Sequence, residues 1–443
     1  MLAEERLTLA SRAVTESGGS DSLEASVFER RLCLTRFTHN EIHQNVDETE
    51  TVVQFRAVVD GRAGWACTNF HDEDDLRRAR DRAVSQARYG PKPAVPVTLP
   101  QPASYAEPKN AYDAATAQAA PSIRAEAASK IFEIAADGEA WAAGYISTES
   151  LGFAIANSNG LRANFSQTDA AVNAKCLTSD ASGFAESFSR NLDGFDPSSV
   201  AQRAVAKARD AGELQTPEVG SWTVIVEPPA LGELLSYLLR HFSAERVHEG
   251  ASFLAGGLGR KYVSEDVTLI DDYAHPLHAA CPFDGEGTPT QRVTLFENGV
   301  AKDFVTDSEW AARLGRKNTG HYISGGVDGP HPRAAVLSPG KRTREELIAS
   351  TKRGILISRF WYIRVVDVRH AIVTGMTRDG TFLIQNGKIT RGLRNMRFNV
   401  RILDLLSDCE LSSELVRTDA YSYSIVVPAA KFADFTFSSA TSY

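Results

Sequence analysis

The stretch that decides the fold is Thr51-Val52-Val53-Gln54-Phe55-Arg56-Ala57-Val58-Val59-Asp60-Gly61-Arg62-Ala63-Gly64-Trp65-Ala66-Cys67. Thr51 to Val59 is rich in β-branched residues, which suit an extended, pleated backbone. Asp60-Gly61 is a tight-turn signal that leads into a second strand, Arg62 to Cys67. Strands are therefore expected between Ala25 and Ala66. A helix follows: Asp72 can cap it, Glu73, Asp74 and Asp75 sit in its first turn, and basic residues recur towards Arg88. Upstream, Leu2 to Glu16 reads as a helix with Leu2, Leu7, Leu9, Ala10 and Ala13 as apolar positions, stopped by Gly18-Gly19.

Working outward, Gly90 to Pro108 holds Pro91, Pro93, Pro96, Pro100, Pro102 and Pro108, which forbid regular helix and favour extended chain, so it reads as a spacer. Ala114 to Ala136 looks helical. Asn159-Gly160 reads as a hairpin turn between Phe153–Ala156 and Arg162–Phe165, and Ser199 to Ala211 as an Ala-rich helix. Helix, hairpin and helix thus occur in the same order on both sides of the spacer, which suggests two related α+β halves. A boundary falls near Glu213 to Gly220. Trp222 to Glu227 has a buried-strand pattern ended by Pro228-Pro229, and Ala230 to Val247 reads as one helix. Beyond Gly250 the chain turns β-rich. Asn298-Gly299, Asp379-Gly380 and Asn386-Gly387 read as hairpin turns, flanked by strands such as Arg292–Phe296, Thr381–Ile384 and Lys388–Thr390. The expected class is α+β: helices on antiparallel sheets in the N-terminal part, and a curved sheet or partly closed barrel in the C-terminal part. The expected divisions are an N-terminal subdomain at 1–90, a Pro-rich linker at 91–113, a central subdomain at 114–215 and a β-rich domain at 220–443.

A chain of 443 residues is long for a single core. Its net charge of -8 argues against nucleic-acid binding by bulk electrostatics. No apolar run approaches the roughly 20 residues that span a bilayer. Met1 to Ala10 carries Glu4, Glu5 and Arg6 and lacks an apolar signal core, so the cytoplasm is the expected compartment, with no membrane partner. The five cysteines, Cys33, Cys67, Cys176, Cys281 and Cys409, are scattered without a CxxC pair. That spacing supports reduced thiols over a zinc ribbon or a disulfide framework.

His241, Glu245 and His248 are spaced i, i+4 and i+7, which on one helix would share a face. Two imidazoles and a carboxylate can ligate zinc, but three residues of one helix enclose a metal poorly, and a solvated face with ordinary ion pairs is the plainer reading. His275, His278, Cys281 and Asp284 form a second group, interrupted by Pro276 and Pro282 and therefore on a loop. Gly325-Gly326, Asp328, Gly329 and His331 could expose backbone amides, or simply make a turn-rich connection. Arg359-Phe360-Trp361-Tyr362 mixes cationic and aromatic character, suited to a peptide or partner surface or to a packed sheet face. There is no GxSxG, HExxH, P-loop or GxGxxG in a strand-to-helix setting.

Several separated segments resemble the TldD/PmbA family. They are Asn40-Glu41-Ile42-His43-Gln44-Asn45 with the hairpin through Asp60-Gly61; Asn157-Ser158-Asn159-Gly160-Leu161; Ser358-Arg359-Phe360-Trp361-Tyr362-Ile363-Arg364; Thr374 to Ile384; and Ile425-Val426-Val427-Pro428-Ala429 to Phe437. The resemblance runs over nearly the whole chain. It implies one of two subunit types of a heterodimeric zinc metalloprotease acting on peptides. In the TldD type, HExxxH on a helix and a distant cysteine hold the zinc, and the Glu serves as general base. In the TldE (PmbA) type the motif is absent.

In the register set by Leu234-Leu235 and by Gly256-Gly257-Leu258-Gly259, Ser236 stands for the first His and Tyr237 for the Glu; only His241 remains. Cys409 is not in a Cys-Gly setting. The resemblance therefore implies a TldE-like subunit that binds no zinc itself. The zinc would lie in a TldD-type partner, and Arg359, Trp361, Tyr362 and Arg378 are the candidates for a peptide or partner surface. Two other readings stay open. One is an independent metal-dependent peptidase with a site relocated to His241, Glu245 and His248 or to the His275–Cys281 loop. The other is a non-enzymatic, homodimeric binding protein.

Overall fold

The structure is a computed structural model that describes residues 1–106, 109–278, 281–323, 329–420 and 423–441. The hairpin read at Asp60-Gly61 is present. Strand β2 (Glu41–Val59) turns into β3 (Arg62–Thr68) with Asp60 at φ +50° and Gly61 at φ +73°, the left-handed pair that a two-residue loop with the sheet's own twist demands. Before it, β1 (Ser22–Thr38) turns into β2 at His39 and Asn40, also left-handed at φ +52° and +60° but without a glycine. After the linker, β4 (Trp141–Asn157) and β5 (Arg162–Leu177) are joined through Asn159-Gly160, and β6 (Ser182–Ser189) follows.

The two halves flanking the linker contribute three strands each to one antiparallel sheet, in the order β3-β2-β1-β4-β5-β6. The seam is β1 against β4, paired from Glu24–Asn157 to Phe37–Gly144. Helices α1 (Ala3–Ala13) and α2 (Glu73–Tyr89) bury Leu9, Leu76 and Val84 with Leu23, Val27 and Phe55 of the sheet. As expected, the Asp72 side chain caps α2, accepting from the Asp75 amide at 2.9 Å. The helix expected from Ala114 to Ala136 is two. Pro121, which cannot donate within a helix, starts a new one, so α3 (Ala114–Ala117) is separate from α4 (Pro121–Asp137). Helices α4 and α5 (Pro197–Ala211) close the second cluster with Ile131, Ile146, Val172 and Val200.

The linker is pinned, not loose. The Val97 amide donates to Gly61 O at 2.9 Å, Leu99 is buried, and the Asn157 and Asn159 side chains each donate to a linker carbonyl, Pro100 O and Leu99 O, at 2.9 Å. On the outer side of β2, β3 covers only Val53 to Val59, leaving Glu41 to Glu50 exposed along the edge.

The C-terminal part is a closed barrel of five strands. The strand Arg353–Asp367 lies beside β7 (Gly220–Val226), followed by Ala430–Ala440, Met396–Arg401 and Ile372–Gln385, which pairs back onto Arg353–Asp367. A second six-stranded sheet stands beside it, with Val416–Ala420 at one edge. Asn298-Gly299 and Asn386-Gly387 form the expected turns, but Asp379-Gly380 does not. It is a bulge inside the strand Ile372–Gln385, opposite a register shift between Ile357 and Arg359, with φ +51° and +129°.

One buried ion-pair group joins the sheet to the C-terminal part. Arg56 of β2 donates Nη2 to Glu24 at 3.0 Å and Nη1 to Glu286 at 2.6 Å, and all three are buried. Burial pushes the Glu24 carboxyl up to about 7, against the pull of Arg56. Removing the guanidinium would strand two buried carboxylates. Arg56→Ala is expected to cost about 3–5 kcal/mol in urea unfolding, more at pH 8 than at pH 5 because protonation relieves the strain. An unchanged midpoint would show that this group does not join the two parts.

Candidate functional site

Helix α6 (Pro228–Leu239) starts at Pro228-Pro229, where missing amides cost nothing, and is apolar nearly all round, so it is buried between the barrel and the second sheet. It carries the positions at which the family resemblance places the zinc motif. Ser236 Oγ donates back to Glu233 O at 2.7 Å, and the Tyr237 hydroxyl donates to Ile363 O at 2.6 Å. The helix expected to run on to Val247 ends here. A 3-10 turn, Arg240–Phe242, and extended Ser243 separate it from α7 (Ala244–His248). The common face assumed for His241, Glu245 and His248 is therefore broken. His241 is buried against Phe253, its Nδ1 without a hydrogen-bond partner, and burial lowers its pKa to about 4. His248 lies by Trp310, ring centroids 5.3 Å apart, and Glu245 is raised by burial and by Glu249. A zinc ion needs at least three protein donors around it. Ser236, Tyr237 and His241 as placed do not fit one. Among the described residues no group of three or more His, Cys, Asp or Glu is gathered so as to hold a metal.

The second loop group has other duties. His278 is buried with Nδ1 3.0 Å from Ser424 Oγ and Nε2 3.2 Å from Ala335 O. Asp284 accepts from the amides of Glu286, Thr288 and Tyr322. His275 keeps Asp272 nearby, and burial pushes the Cys281 thiol up to about 12. Gly325, Gly326 and Asp328 lie outside the described residues, while His331 is buried with Nδ1 2.6 Å from Pro332 O.

Arg359, Trp361, Tyr362 and Arg378 lie close together. The first three border a cavity of about 510 Å³ between the edge strand β6, helix α6 and the strand Arg353–Asp367, whose lining includes Tyr145, Glu186, Glu233, Arg359, Trp361 and Asp419. Arg378 itself packs behind Trp361, its guanidinium 4.3 Å from the ring centre, and Arg359 lies 4.4 Å from the Phe184 ring. Phe360 points into the core while Trp361 and Tyr362 are exposed. Tyr362 is left-handed at φ +56° beside a register shift, which turns two successive side chains outward.

Asp379 holds this arrangement. Its buried carboxylate lies 2.8 Å from Lys175 Nζ and accepts from Ser182 Oγ at 3.0 Å, both from the N-terminal sheet, with Arg378 and Arg359 at 3.6 and 3.9 Å. At the bottom of the cavity, Glu186 Oε1 accepts from Thr418 Oγ1 at 2.9 Å. Burial holds the Glu186 carboxyl at about 7; the Thr418 bond and Arg359 pull it down, and Asp419 and Glu233 push it up. Sequence reasoning missed Glu186 and Asp379. Nothing local marks Glu186, and Asp379 was absorbed into a turn signal.

With this geometry in hand, the likeness to known proteins is extensive. Models of the PmbA/TldA metallopeptidase domains match in order: domain 1 over residues 23–87, the central domain over 104–211 and the C-terminal domain over 219–439. The chain belongs to the PmbA/TldD family. The structure of TldE from Thermococcus kodakarensis superposes with a TM-score of 0.86 at 26% identity, covering 98% of this chain and 99% of that one. A putative modulator of a DNA gyrase from Thermotoga maritima shares the fold, with a TM-score of 0.83 at 21% identity over 94% of this chain and 96% of that one. A metalloprotease of Methanothermobacter thermautotrophicus is 27% identical over 282 residues, 60% of this chain and 60% of its own length. An uncharacterised protein of Methanocaldococcus jannaschii is 28% identical over 290 residues, 64% of this chain and 67% of its own. No helix among the described residues is long and apolar enough to cross a membrane.

Glu186 makes stability depend on pH. Its folded pKa of about 7 lies above the ordinary 4.5, so between these values the folded chain holds a proton that the unfolded chain has released. This contribution is therefore present at low pH and lost as pH rises through 7. Glu186→Gln removes it, and the variant is expected to lose less stability than the parent between pH 5 and pH 8 in urea titrations. Parallel losses in both proteins would show that Glu186 ionises normally.

Proposed function

We propose that this chain is a TldE-type subunit that works beside a TldD-type catalytic partner in the cytoplasm. The partner holds the zinc, and this chain completes the chamber in which peptides are bound and cut. The observation that carries this reading is the state of the two motif positions on α6. Ser236 and Tyr237 spend their hydroxyls on Glu233 O and Ile363 O, so neither side chain is poised to ligate or to act as a base. The likeness to TldE over almost the whole chain supports the same assignment.

Tyr237 instead acts as a strut. It grips the carbonyl next to Tyr362 and so fixes the strand whose Trp361 and Tyr362 face outward. The same strand and the turn after it expose Val365, Val366 and Val368, an apolar run suited to contact with another chain. When bound in the partner, zinc supplies an activated water. The work of this chain is to hold peptide and to exclude bulk solvent.

The test is metal analysis of the purified chain, alone and co-expressed with a TldD-type protein of the same organism. Zinc is expected only in the co-purified complex. Near-stoichiometric zinc in the chain alone would overturn the reading. A homodimer that ignores the TldD-type protein would point to a binding protein instead.

A further inference from the structure

We propose that the cavity over β6 is a receptor for a primary ammonium group carried on a peptide, with Glu186 as its counter-charge. The inference rests on the reading of this chain as a peptide-handling subunit and names the chemistry that it selects.

The cationic groups of the cavity are already engaged. The Arg359 guanidinium lies over Phe184 at 4.4 Å and Trp361 at 5.6 Å, with Asp379 behind it. Arg364 lies 4.0 Å from the Tyr362 ring centre and donates to Ile363 O at 2.8 Å. Asp419 is held by Arg417 at 3.3 Å. Glu186 differs. Its carboxyl accepts one hydrogen bond, from Thr418, and the residue lines the cavity.

An ammonium group brings three N–H donors and a compact charge, which match a carboxylate with open lone pairs and aromatic walls. A divalent metal would need more donors than this cavity gathers. An anionic ligand would meet Glu186, Glu233 and Asp419. Burial raises the Glu186 carboxyl to about 7, and a cation arriving beside it favours the charged form.

The surroundings say where the rest of the ligand goes. A second cavity of about 640 Å³ shares Phe184, Glu186 and Pro229 with the first and continues between α5 and the barrel towards Arg344 and Val416. A chain whose amino end sits at Glu186 thus has room for the residues behind it. The edge of β6 does not compete as a pairing template along this path, because Lys207 Nζ donates to Phe184 O at 2.8 Å and Arg203 Nη2 to Glu186 O at 3.0 Å.

The experiment is calorimetric titration of the full chain near pH 8 with three peptides: tetraalanine amide, its N-acetyl form, and an N-acetylated Ala-Lys-Ala-Ala amide. Acetylation is expected to weaken binding at least about 10-fold. Glu186→Gln, with its fold checked by circular dichroism, should bring the free-amine peptide down to the acetylated one. Recovery of affinity in the lysine peptide identifies a side-chain ammonium as the source; no recovery identifies the chain terminus. Equal binding of free and acetylated peptides, an unchanged Glu186→Gln variant, or no binding by any peptide would overturn the proposal. Metal analysis tests the subunit assignment separately, so the two can fail independently.

Discussion

The carboxylate of Asp379 fastens the N-terminal sheet to the barrel strands that carry the candidate site. It is 4% exposed, a position that an isolated carboxylate could not occupy without a penalty of several kcal/mol. Lys175 and Ser182 reach it from the N-terminal sheet, while Arg359 and Arg378 approach from the barrel strands. The left-handed pair Asp379-Gly380 is what turns this side chain inward, because a regular strand would alternate past it. Ser358 Oγ would lie 2.6 Å from a Cβ at position 380, so only glycine fits the bulge. Both arginines then lie against Trp361, at 5.6 and 4.3 Å from its ring centre, while the neighbouring Phe360 is buried in the core.

Much of this was legible from local sequence. The hairpins at Asp60-Gly61 and Asn159-Gly160 and the Asp72 cap all follow from residue chemistry that acts over a few positions. What failed was long-range. Asp-Gly marks a left-handed pair, but whether the chain reverses or merely bulges depends on the neighbouring strand, here on the shift between Ile357 and Arg359. The run from Ala230 to Val247 has helical composition throughout, yet Ser243 is extended and its carbonyl accepts from Val247 as a new helix starts. Glu186 had no signature at all. Its importance comes from Thr418, Arg359 and Asp419, which lie far along the chain. The mix of cations and aromatics at Arg359 to Tyr362 left core and surface undecided, because the left-handed turn at Tyr362 that sends Trp361 and Tyr362 outward has no local mark.

On helix α6, Ser236 and Tyr237 both turn their hydroxyls to the backbone. A helix that presented ligands would need polar side chains aimed into a cavity, at a cost in burial. Here the same positions are filled by groups that satisfy themselves against the backbone, and the rest of the helix is core: Leu234, Leu235, Leu238 and Leu239 are all buried. The Tyr237 hydroxyl is a polar link between this helix and the strand below it. Stability and positioning are thus served by one side chain.

The exposed half of β2 has a further effect. Glu41, Glu48 and Glu50 lie along an edge with no Lys or Arg in Glu41–Glu50, while Asp47 is paired with Arg31 of the neighbouring strand. Two copies brought edge to edge would set these carboxylates against their equals, a repulsion that reaches about 8 Å at physiological salt and shrinks as salt is added. That repulsion opposes strand exchange along this edge in dilute buffer, and concentrated salt is the condition in which this protein would first be expected to form ordered aggregates.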